Sequence, residues 1–499
     1  MRSRRVREMT KTETKIVPVL VALMLGIFVS SLDNTIVAAS MGTIVGDLGG
    51  LDKYVWITSA YLVAEMAGMP IFGKLSDMYG RKRFYVFGIT LFLIGSILCG
   101  TAETMTQLAI YRAIQGVGGS ALMPIAFTII WDVLPLEKRA SVGGWFGAVF
   151  GLSSVVGPLL GAFITDHISW HWIFYINIPI GIVALFLISV YYKESPKHNK
   201  AKIDWLGAFF LVGGTVALMF ALELGGHTYA WDSMQIFSLF GLFVVAMIVL
   251  IFVERHAVDP ILPFYLFKRP VYLGTVLTGM LYGGVFMVAT IYIPLYVQGV
   301  DGGTATNSGL LLLPMMVGTS VMAAISGNLA NRFSFRSIMI CAGILTFGTT
   351  ILFGTLTPDT PRYLLTIYMV MLGVGIGPSF SILGTASLYK INPDERGTAS
   401  ATNNFIRSFG MTVGITIYGV IQRNLFSNGV PEMFQHMDSR AILSPELRAK
   451  IPAEILDKIT EILCSSIAQT FLWTLIPLSL AFLTMLLMGK AKMSDLHEK

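Results

Sequence analysis

This chain of 499 residues carries little charge. Lys, Arg, Asp and Glu make up 13% of it, whereas hydrophobic residues make up 54%. A soluble globular domain has about 25% charged residues, so most of this polypeptide cannot face water. The composition therefore excludes a soluble domain and predicts an integral membrane protein.

Cysteine and metal-binding patterns are also scarce. The three cysteines, Cys99, Cys341 and Cys464, do not suggest a disulfide framework, since two fall in apolar runs and one in a predicted external loop. None of the seven His residues lies in a metal-ligand pattern. Residues 68–74 match part of a phosphate-binding loop, but Leu75 replaces the Ser or Thr that would hold magnesium. We expect no metal, no cofactor and no enzymatic activity.

Apolar runs of about 20 residues, the length that crosses a bilayer, recur along the whole chain. They predict fourteen spans, at 16–39, 54–73, 84–102, 107–130, 141–164, 170–192, 203–224, 234–253, 271–297, 305–327, 337–357, 362–386, 398–423 and 467–489. An even number places most of the 35 Lys and Arg residues on one side, with both termini in the cytoplasm. The net charge of +6 is thus a signal of topology. It does not argue for nucleic-acid binding, and the basic loops should attract anionic lipids.

The loop at 73–83, which reads GKLSDMYGRKR, combines Gly73, Asp77, Gly80 and Arg81. Its glycines allow a sharp reversal, and its cations favour the cytoplasmic side. The pattern resembles the signature loop of the major facilitator superfamily. An ordinary basic loop would explain the charges but not the Gly and Asp positions. The resemblance implies a conformational latch, with Asp77 against a helix end of the C-terminal half and Arg81 paired with Asp132.

A weak internal repeat divides the chain into two halves. The loop at 73–83 is echoed at 327–337, GVGGSALMP at 116–124 by GVGIGPSF at 373–380, and EKRA at 137–140 by DERG at 394–397. Parallel repeats of this kind are typical of two six-helix bundles with a substrate site between them. The predicted fold is an all-α major facilitator fold with two inserted linker helices. Its predicted parts are an N-terminal tail at 1–15, a bundle at 16–192, connections and linker helices at 193–270, a bundle at 271–489 and a tail at 490–499.

Ionisable residues inside the spans are the candidates for function, because charge is costly there. Asp33 lies in SSLDNTIVA, which resembles the first-span signature of fourteen-span drug:proton antiporters. The resemblance implies a proton-coupling carboxylate, although a packing hydrogen bond to Asn34 or Thr35 is the alternative. Arg112 opens RAIQGVGGSALMP, which resembles the Arg-containing motif of the fourth helix. It is expected near Asp33 as a charge partner, or else bound to helix carbonyls.

Two further intramembrane charges are candidates, and one of them, Glu65, departs from the family pattern. Glu65 shares a helix face with Thr58, Tyr61 and Gly68, and the family usually has an apolar residue there. It is a candidate second proton site or counter-charge for cations, with a protonated packing residue as the alternative. Arg407 is a gating or packing candidate.

The fifth predicted span is rich in small residues and resembles the antiporter motif of the superfamily, which favours export. Close helix packing alone is the alternative explanation. The motif residues are Gly147, Gly151, Gly157, Pro158 and Gly161. Aromatic and thioether side chains in the spans are candidates for an adaptable substrate surface. They are Tyr61, Met66, Phe127, Phe150, Tyr282, Phe286, Met287 and Phe405, beside Glu65. A long external loop at 424–466 contains an amphipathic segment expected to cap the outer mouth or lie on the bilayer.

Taken with these motifs, the resemblance implies a multidrug exporter of the fourteen-span drug:proton antiporter family. It would export lipophilic, often cationic, compounds from a bacterial cell as a monomer in the plasma membrane, and the proton gradient would drive it. A proton-coupled exporter of one lipid or metabolite would use the same machinery. A polytopic membrane enzyme, a sensor or a channel would not explain the repeat and the antiporter motif.

Overall fold

The computed structural model describes residues 15–48, 54–194, 204–226, 228–257, 259–302, 305–430 and 453–496. Within these ranges the regular structure is helical, apart from one isolated bridge between Gly225 and Tyr229. The predicted all-helical architecture is confirmed. The N-terminal tail at 1–14, and the larger part of the 424–466 loop at 431–452, lie outside the described residues.

The helices of the N-terminal half are long and closely spaced along the chain. They are α1 (Ile16–Leu48), α2 (Tyr54–Tyr79), α3 (Arg81–Cys99), α4 (Met105–Val133), α5 (Leu136–His167), α6 (Trp172–Tyr175) and α7 (Asn177–Tyr191). Two further helices follow, α8 (Trp205–Leu224) and α9 (Met234–His256). These two pack on each other, and α8 also packs against α2.

The C-terminal half repeats this arrangement. Its helices are α10 (Pro270–Gly299), α11 (Ala305–Leu329), α12 (Phe335–Phe353), α13 (Arg362–Ser387), α14 (Arg396–Gly429), α15 (Ala453–Trp473) and α16 (Leu475–Leu486). Helices α10 and α14 pack together, as do α11 and α13. The two halves meet mainly where α5 contacts α11 and where α2 contacts α14.

Eleven segments of the described residues are long and apolar enough to cross a membrane. Helices α2, α5 and α14 are not among them. Glu65, Lys74 and Asp77 lie in α2, and Arg396 and Arg407 lie in α14, so both helices carry charge into the interior of the bundle. Their charges lower the apolar content that identifies a span by composition.

The last predicted span, 467–489, begins too late. Helix α15 already starts at Ala453, and Ile459 and Leu463 are fully buried in a hydrophobic cluster of the C-terminal half. The amphipathic stretch predicted to cap the mouth or lie on the bilayer is therefore corrected, in its described part, to the beginning of this buried helix. Its apolar face packs against protein because neighbouring helices offer a complementary surface. Cys464, predicted in a loop, is likewise buried in α15.

Glycines allow the helices of each half to approach closely. A Cβ added at Gly410 in α14 would lie 2.7 Å from the Cα of Met280 in α10, and would also overlap the Met280 carbonyl. Gly419, further along α14, has nothing within 4 Å of the same added atom. The two glycines lie on the same helix, one in a crowded position and one in an open position, so their substitutions can be compared directly.

Gly410→Ala should destabilise the protein by about 1–3 kcal/mol, because the α10 backbone must move to admit the methyl group. Gly419→Ala should be neutral or slightly stabilising, since Ala has the higher helix propensity. Thermal unfolding of the purified variants, followed by tryptophan fluorescence, compares the two. Equal melting temperatures for both variants would contradict this account of the packing.

Candidate functional site

A buried ion pair lies at the centre of the N-terminal half. Asp33 in α1 and Arg112 in α4 have side chains that are 0% and 1% exposed, and Arg112 Nη1 donates to Asp33 Oδ2. In the low-dielectric interior, such a pair needs further hydrogen bonds to offset the cost of removing both charges from water. The structure therefore brings together the two residues that the sequence predicted to be neighbours. Neither Asn34 nor Thr35 bonds to Asp33; their side chains donate to α1 carbonyls.

Three further side chains complete the polar cluster, and sequence reasoning missed all three. Asp33 Oδ1 accepts hydrogen bonds of 2.8 Å from both Gln115 Nε2 and Asn177 Nδ2. The same two amides donate to Ser96 Oγ at 2.7 and 3.0 Å. Gln115 Oε1 also accepts from Arg112 at 2.7 Å. A polar residue one helical turn after an intramembrane Arg was the available signal for Gln115. Asn177 and Ser96 gave no comparable signal, because they come from other helices.

A chain of hydroxyl groups links this cluster to Glu65. The Arg112 guanidinium lies 4.2 Å from the centroid of the Tyr61 ring. The Tyr61 hydroxyl is 3.1 Å from Ser30 Oγ, which donates to Glu65 Oε1 at 3.4 Å. Tyr61 is fully buried. It therefore lies between the sealed Asp33 and Arg112 pair and the Glu65 carboxylate.

Glu65 lines a cavity of about 270 Å³ between the two halves. Helices α1, α2 and α4 supply one wall, and α10, α13 and α14 supply the other. Five methionines and two phenylalanines make most of the surface apolar and adaptable. They are Met66, Met69, Met123, Met287, Met411, Phe286 and Phe380. Apolar walls with a few polar groups are typical of small-molecule sites.

The cavity contains a charge on each wall. Arg407 in α14 faces it from the C-terminal half, with its guanidinium carbon 3.9 Å from the centroid of the Phe380 ring. Polar groups of Ser30, Ser31 and Asn34 adjoin Glu65 on the opposite wall. The sequence left Arg407 as a gating or packing candidate, and the structure places it at the cavity.

Other predicted substrate contacts lie elsewhere. Glu65, Met66, Phe286 and Met287 line the cavity, as predicted, and the Phe150 side chain is outside the described part of the chain. Tyr61, Phe127, Tyr282 and Phe405 do not line it, so this cavity gives no support to their assignment as substrate contacts. Their rings pack into hydrophobic clusters within or beside each half, because one sequence does not reveal which face of a span meets the cavity.

Residues 73–83, predicted as a loop, instead form the end of α2 and the start of α3, with Gly80 between them. They join the two halves at one end of the molecule, which we call the basic end. Asp77 accepts hydrogen bonds from the backbone N–H of Gly397 at 2.9 Å and of Thr398 at 2.7 Å. These groups belong to the first turn of α14, where a carboxylate is favoured by the helix dipole and unpaired N–H groups. The Thr398 hydroxyl adds a third bond, of 3.0 Å.

Arg81 strengthens the same junction. Its guanidinium forms an ion pair with Asp132 at the end of α4 and donates to the Pro393 carbonyl, in the other half, at 2.7 Å. Gly80 has a φ of 110°, a conformation that favours glycine. A Cβ at Gly73 would lie 2.8 Å from the Gly397 carbonyl oxygen, so a larger residue would separate α2 from α14. The contacts predicted for the latch are thus present, and its conformational role stays a prediction.

The small residues of α5 serve two different neighbours. A Cβ at Gly151 would lie 2.8 Å from Met316 Cβ in α11, whereas one at Gly161 would lie 2.8 Å from the Ile36 carbonyl oxygen in α1. Gly157 likewise faces Thr35. Gly147 lies within α5, beyond the side chains that the structure describes, and Pro158 lies inside the helix. The small residues of α5 are therefore divided between contacts with α1 and contacts with the other half.

Asp77→Asn should weaken the contact between α2 and α14 at the basic end, because the amide lacks the charge that the α14 terminus favours. We expect the ratio of open to closed populations to rise roughly tenfold, equivalent to one charged hydrogen bond of about 1.5 kcal/mol. The two populations can be measured from the distance between spin labels at Tyr79 and Arg332 by pulsed electron spin resonance. The native cysteines are replaced first so that only these two sites are labelled. Both sites are exposed, one on each half of the chain.

Asp301→Asn is the matched control, since Asp301 pairs with Arg362 at 2.7 Å at the opposite end and within one half. Its distance distribution should equal that of the parent. An unchanged distance distribution in Asp77→Asn would show that the Asp77 contacts do not hold the two halves together.

Comparisons with known proteins agree with this architecture. Residues 23–415 match the model of the Major Facilitator Superfamily. The chain is 52% identical to multidrug resistance protein 3 of Bacillus subtilis, over 96% of both chains. It is 36% identical to the multidrug transporter protein MdtP of Bacillus subtilis, over 87% of this chain and 80% of the relative.

Solved structures share the fold at low sequence identity. The human organic anion transporter MFSD10 has a TM-score of 0.61 at 14% identity, with 93% of this chain and 100% of that chain covered. The proton:xylose symporter XylE has a TM-score of 0.60 at 12% identity, with 92% and 94% covered. On the evidence of the sequence match, the shared fold and the paired halves, this chain belongs to the Major Facilitator Superfamily of membrane transporters.

Proposed function

We propose that this protein is a proton-coupled multidrug exporter of a bacterial plasma membrane. Its relatives in Bacillus subtilis are named as multidrug resistance and multidrug transporter proteins, which supports small-molecule substrates. We propose that these substrates are lipophilic and often cationic. The single observation that carries the proton coupling is the Asp33 cluster and its connection to Glu65 at the cavity. The proton gradient is the energy source, the protein works as a monomer, and no cofactor takes part.

We also propose fourteen spans with both termini in the cytoplasm. Helices α2, α5 and α14 have 26, 32 and 34 residues, more than the roughly 20 that a bilayer requires, and they complete the eleven apolar segments. The basic end then faces the cytoplasm, in accord with its Lys and Arg residues. In this orientation the latch closes the cytoplasmic side, and the cavity is reached from the outside.

Asp33 suits a coupling role because its two protonation states make different contacts. The carboxylate binds Arg112 and accepts two amide hydrogen bonds. A proton on Asp33 cancels the charge that holds the Arg112 guanidinium, which is then buried without a counter-ion. The guanidinium rests on the Tyr61 ring, so its displacement is transmitted to the Tyr61 and Ser30 hydroxyls.

Glu65 connects that change to the substrate. Ser30 donates to Glu65 at 3.4 Å, and Glu65 lines the cavity. A cationic group of a substrate is attracted to the carboxylate of Glu65 and loses this attraction when Glu65 is protonated and neutral. Substrate and proton therefore compete for the charged state of this half, which is the thermodynamic requirement for exchange. Opening and closing of the Asp77 and Arg81 contacts then exposes the cavity to each side in turn.

Asp33→Asn should abolish substrate-driven proton release, because an amide neither binds a proton nor balances Arg112. Purified protein in liposomes with a pH dye, challenged with ethidium, measures the flux. The matched control is Asp47→Asn on the same helix, where Asp47 accepts from Trp170 at 2.7 Å. It should release protons at the parental rate. Parental flux in Asp33→Asn, with a normal elution profile, would overturn the coupling assignment.

Glu65→Gln should preserve folding but change either the number of protons per substrate or the preference for cations. Glutamine has the same size and still accepts from Ser30, so the lost property is the charge. Simultaneous recording of ethidium and proton fluxes gives the ratio directly. An identical ratio and identical cation preference would assign Glu65 to packing alone.

A further inference from the structure

The Arg407 guanidinium at the cavity wall has no counter-charge among the residues that the structure describes. Among the described residues, no carboxylate approaches it within the 4.0 Å of an ion pair, and its close neighbour is the Phe380 ring at 3.9 Å. An Arg side chain remains charged under physiological conditions. A cation inside a membrane protein is normally paired with a carboxylate or with backbone carbonyls. Arg407 instead presents its charge to the space between the halves.

Glu65 presents the opposite charge from the opposite half. Both residues line the same cavity of about 270 Å³, and no ion pair joins them in the part of the chain that the structure describes. The two charges are therefore available to a ligand and do not cancel each other. Methionine and phenylalanine side chains fill the wall between them and suit an aromatic body.

The surroundings of Arg407 differ from those of a structural arginine. Arg112, which is fully buried, is held by a carboxylate and an amide. The Arg407 guanidinium makes no comparable contact within the described residues, and ring stacking leaves its N–H groups able to donate at the edge. A ligand carboxylate matches this arrangement because it accepts two parallel hydrogen bonds from one guanidinium.

We propose that the preferred substrates are zwitterionic amphiphiles, with an acidic group that binds Arg407 and a cationic group that faces Glu65. The inference rests on the proposed function and narrows its substrate class. Such a ligand spans the cavity and touches both halves at once. Binding of the acid to α14 and of the cation to α2 then joins the two helices that also meet at the latch.

Two dyes that differ by one ester test the proposal. Rhodamine 123 is a cation, whereas rhodamine 110 has a free carboxylate and is a zwitterion on the same ring system. Equilibrium binding to purified protein in nanodiscs, followed by fluorescence polarisation, gives both dissociation constants. The parent should bind rhodamine 110 about tenfold more tightly, the effect of one charge-assisted contact. Equal affinities of the parent for the two dyes, or tighter binding of rhodamine 123, would overturn the proposal. This test needs only the parent protein.

Substitution of Arg407 tests whether this residue causes the preference for rhodamine 110 over rhodamine 123. Arg407→Gln should abolish the preference for rhodamine 110 while changing rhodamine 123 binding less than twofold, as expected from loss of one charge. Arg407→Lys retains the charge and should keep most of the preference. Unchanged discrimination in Arg407→Gln would place the acidic group elsewhere and overturn the assignment.

The liposome assay separates this inference from the proposed function. Proton release with rhodamine 123 but no preference for rhodamine 110 would overturn the zwitterion proposal alone. Absence of proton release with ethidium and both dyes would overturn the proposed export, and with it the inference that rests on it.

Discussion

The buried Asp33 and Arg112 ion pair is the interaction on which the rest of this structure depends. Removal of either partner would leave an isolated charge in a low-dielectric interior, at a cost of about 3–5 kcal/mol. Gln115, Asn177 and Ser96 occupy the remaining polar positions around Asp33. The cluster draws on four helices, so it fixes their mutual positions as well as the charge.

Close helix packing makes this sealed cluster feasible. Gly95 in α3 faces Gln115, since an added Cβ there would lie 2.6 Å from the Gln115 Cα and Cβ atoms. Gly116 and Gly119 in α4 similarly admit Tyr61. Small residues in a membrane bundle bring polar side chains of neighbouring helices within bonding distance and exclude lipid. The same property keeps the cluster separate from the cavity, so that the Ser30 and Tyr61 hydroxyls form the connection to Glu65.

The two halves contribute unequally. The N-terminal half holds the ion pair, the carboxylate at the cavity and the latch loop, whereas the C-terminal half supplies the receiving helix end and Arg407. The two halves of the sequence repeat therefore share their helix arrangement but not their charged residues. The second loop, at 327–337, has a turn but no counterpart of Asp77. In the proposed function, this asymmetry assigns the proton response to the N-terminal half and a complementary surface to the C-terminal half.

The sequence by itself determined the helical membrane architecture, because long apolar runs leave few alternatives in a bilayer. The family resemblance of the motifs that contain Asp33, Asp77 and Arg112 also implied the latch contacts and the proximity of Asp33 to Arg112, although the partners lie far apart in sequence. The sequence did not determine where the last helix begins, because Ile459 and Leu463 bury a face that an isolated sequence presents as amphipathic. Only the tertiary structure decided that Arg407 faces the cavity while Tyr282 and Phe405 do not. In membrane spans nearly every face is apolar, so the rotation of each helix is set by its neighbours and not by its own pattern.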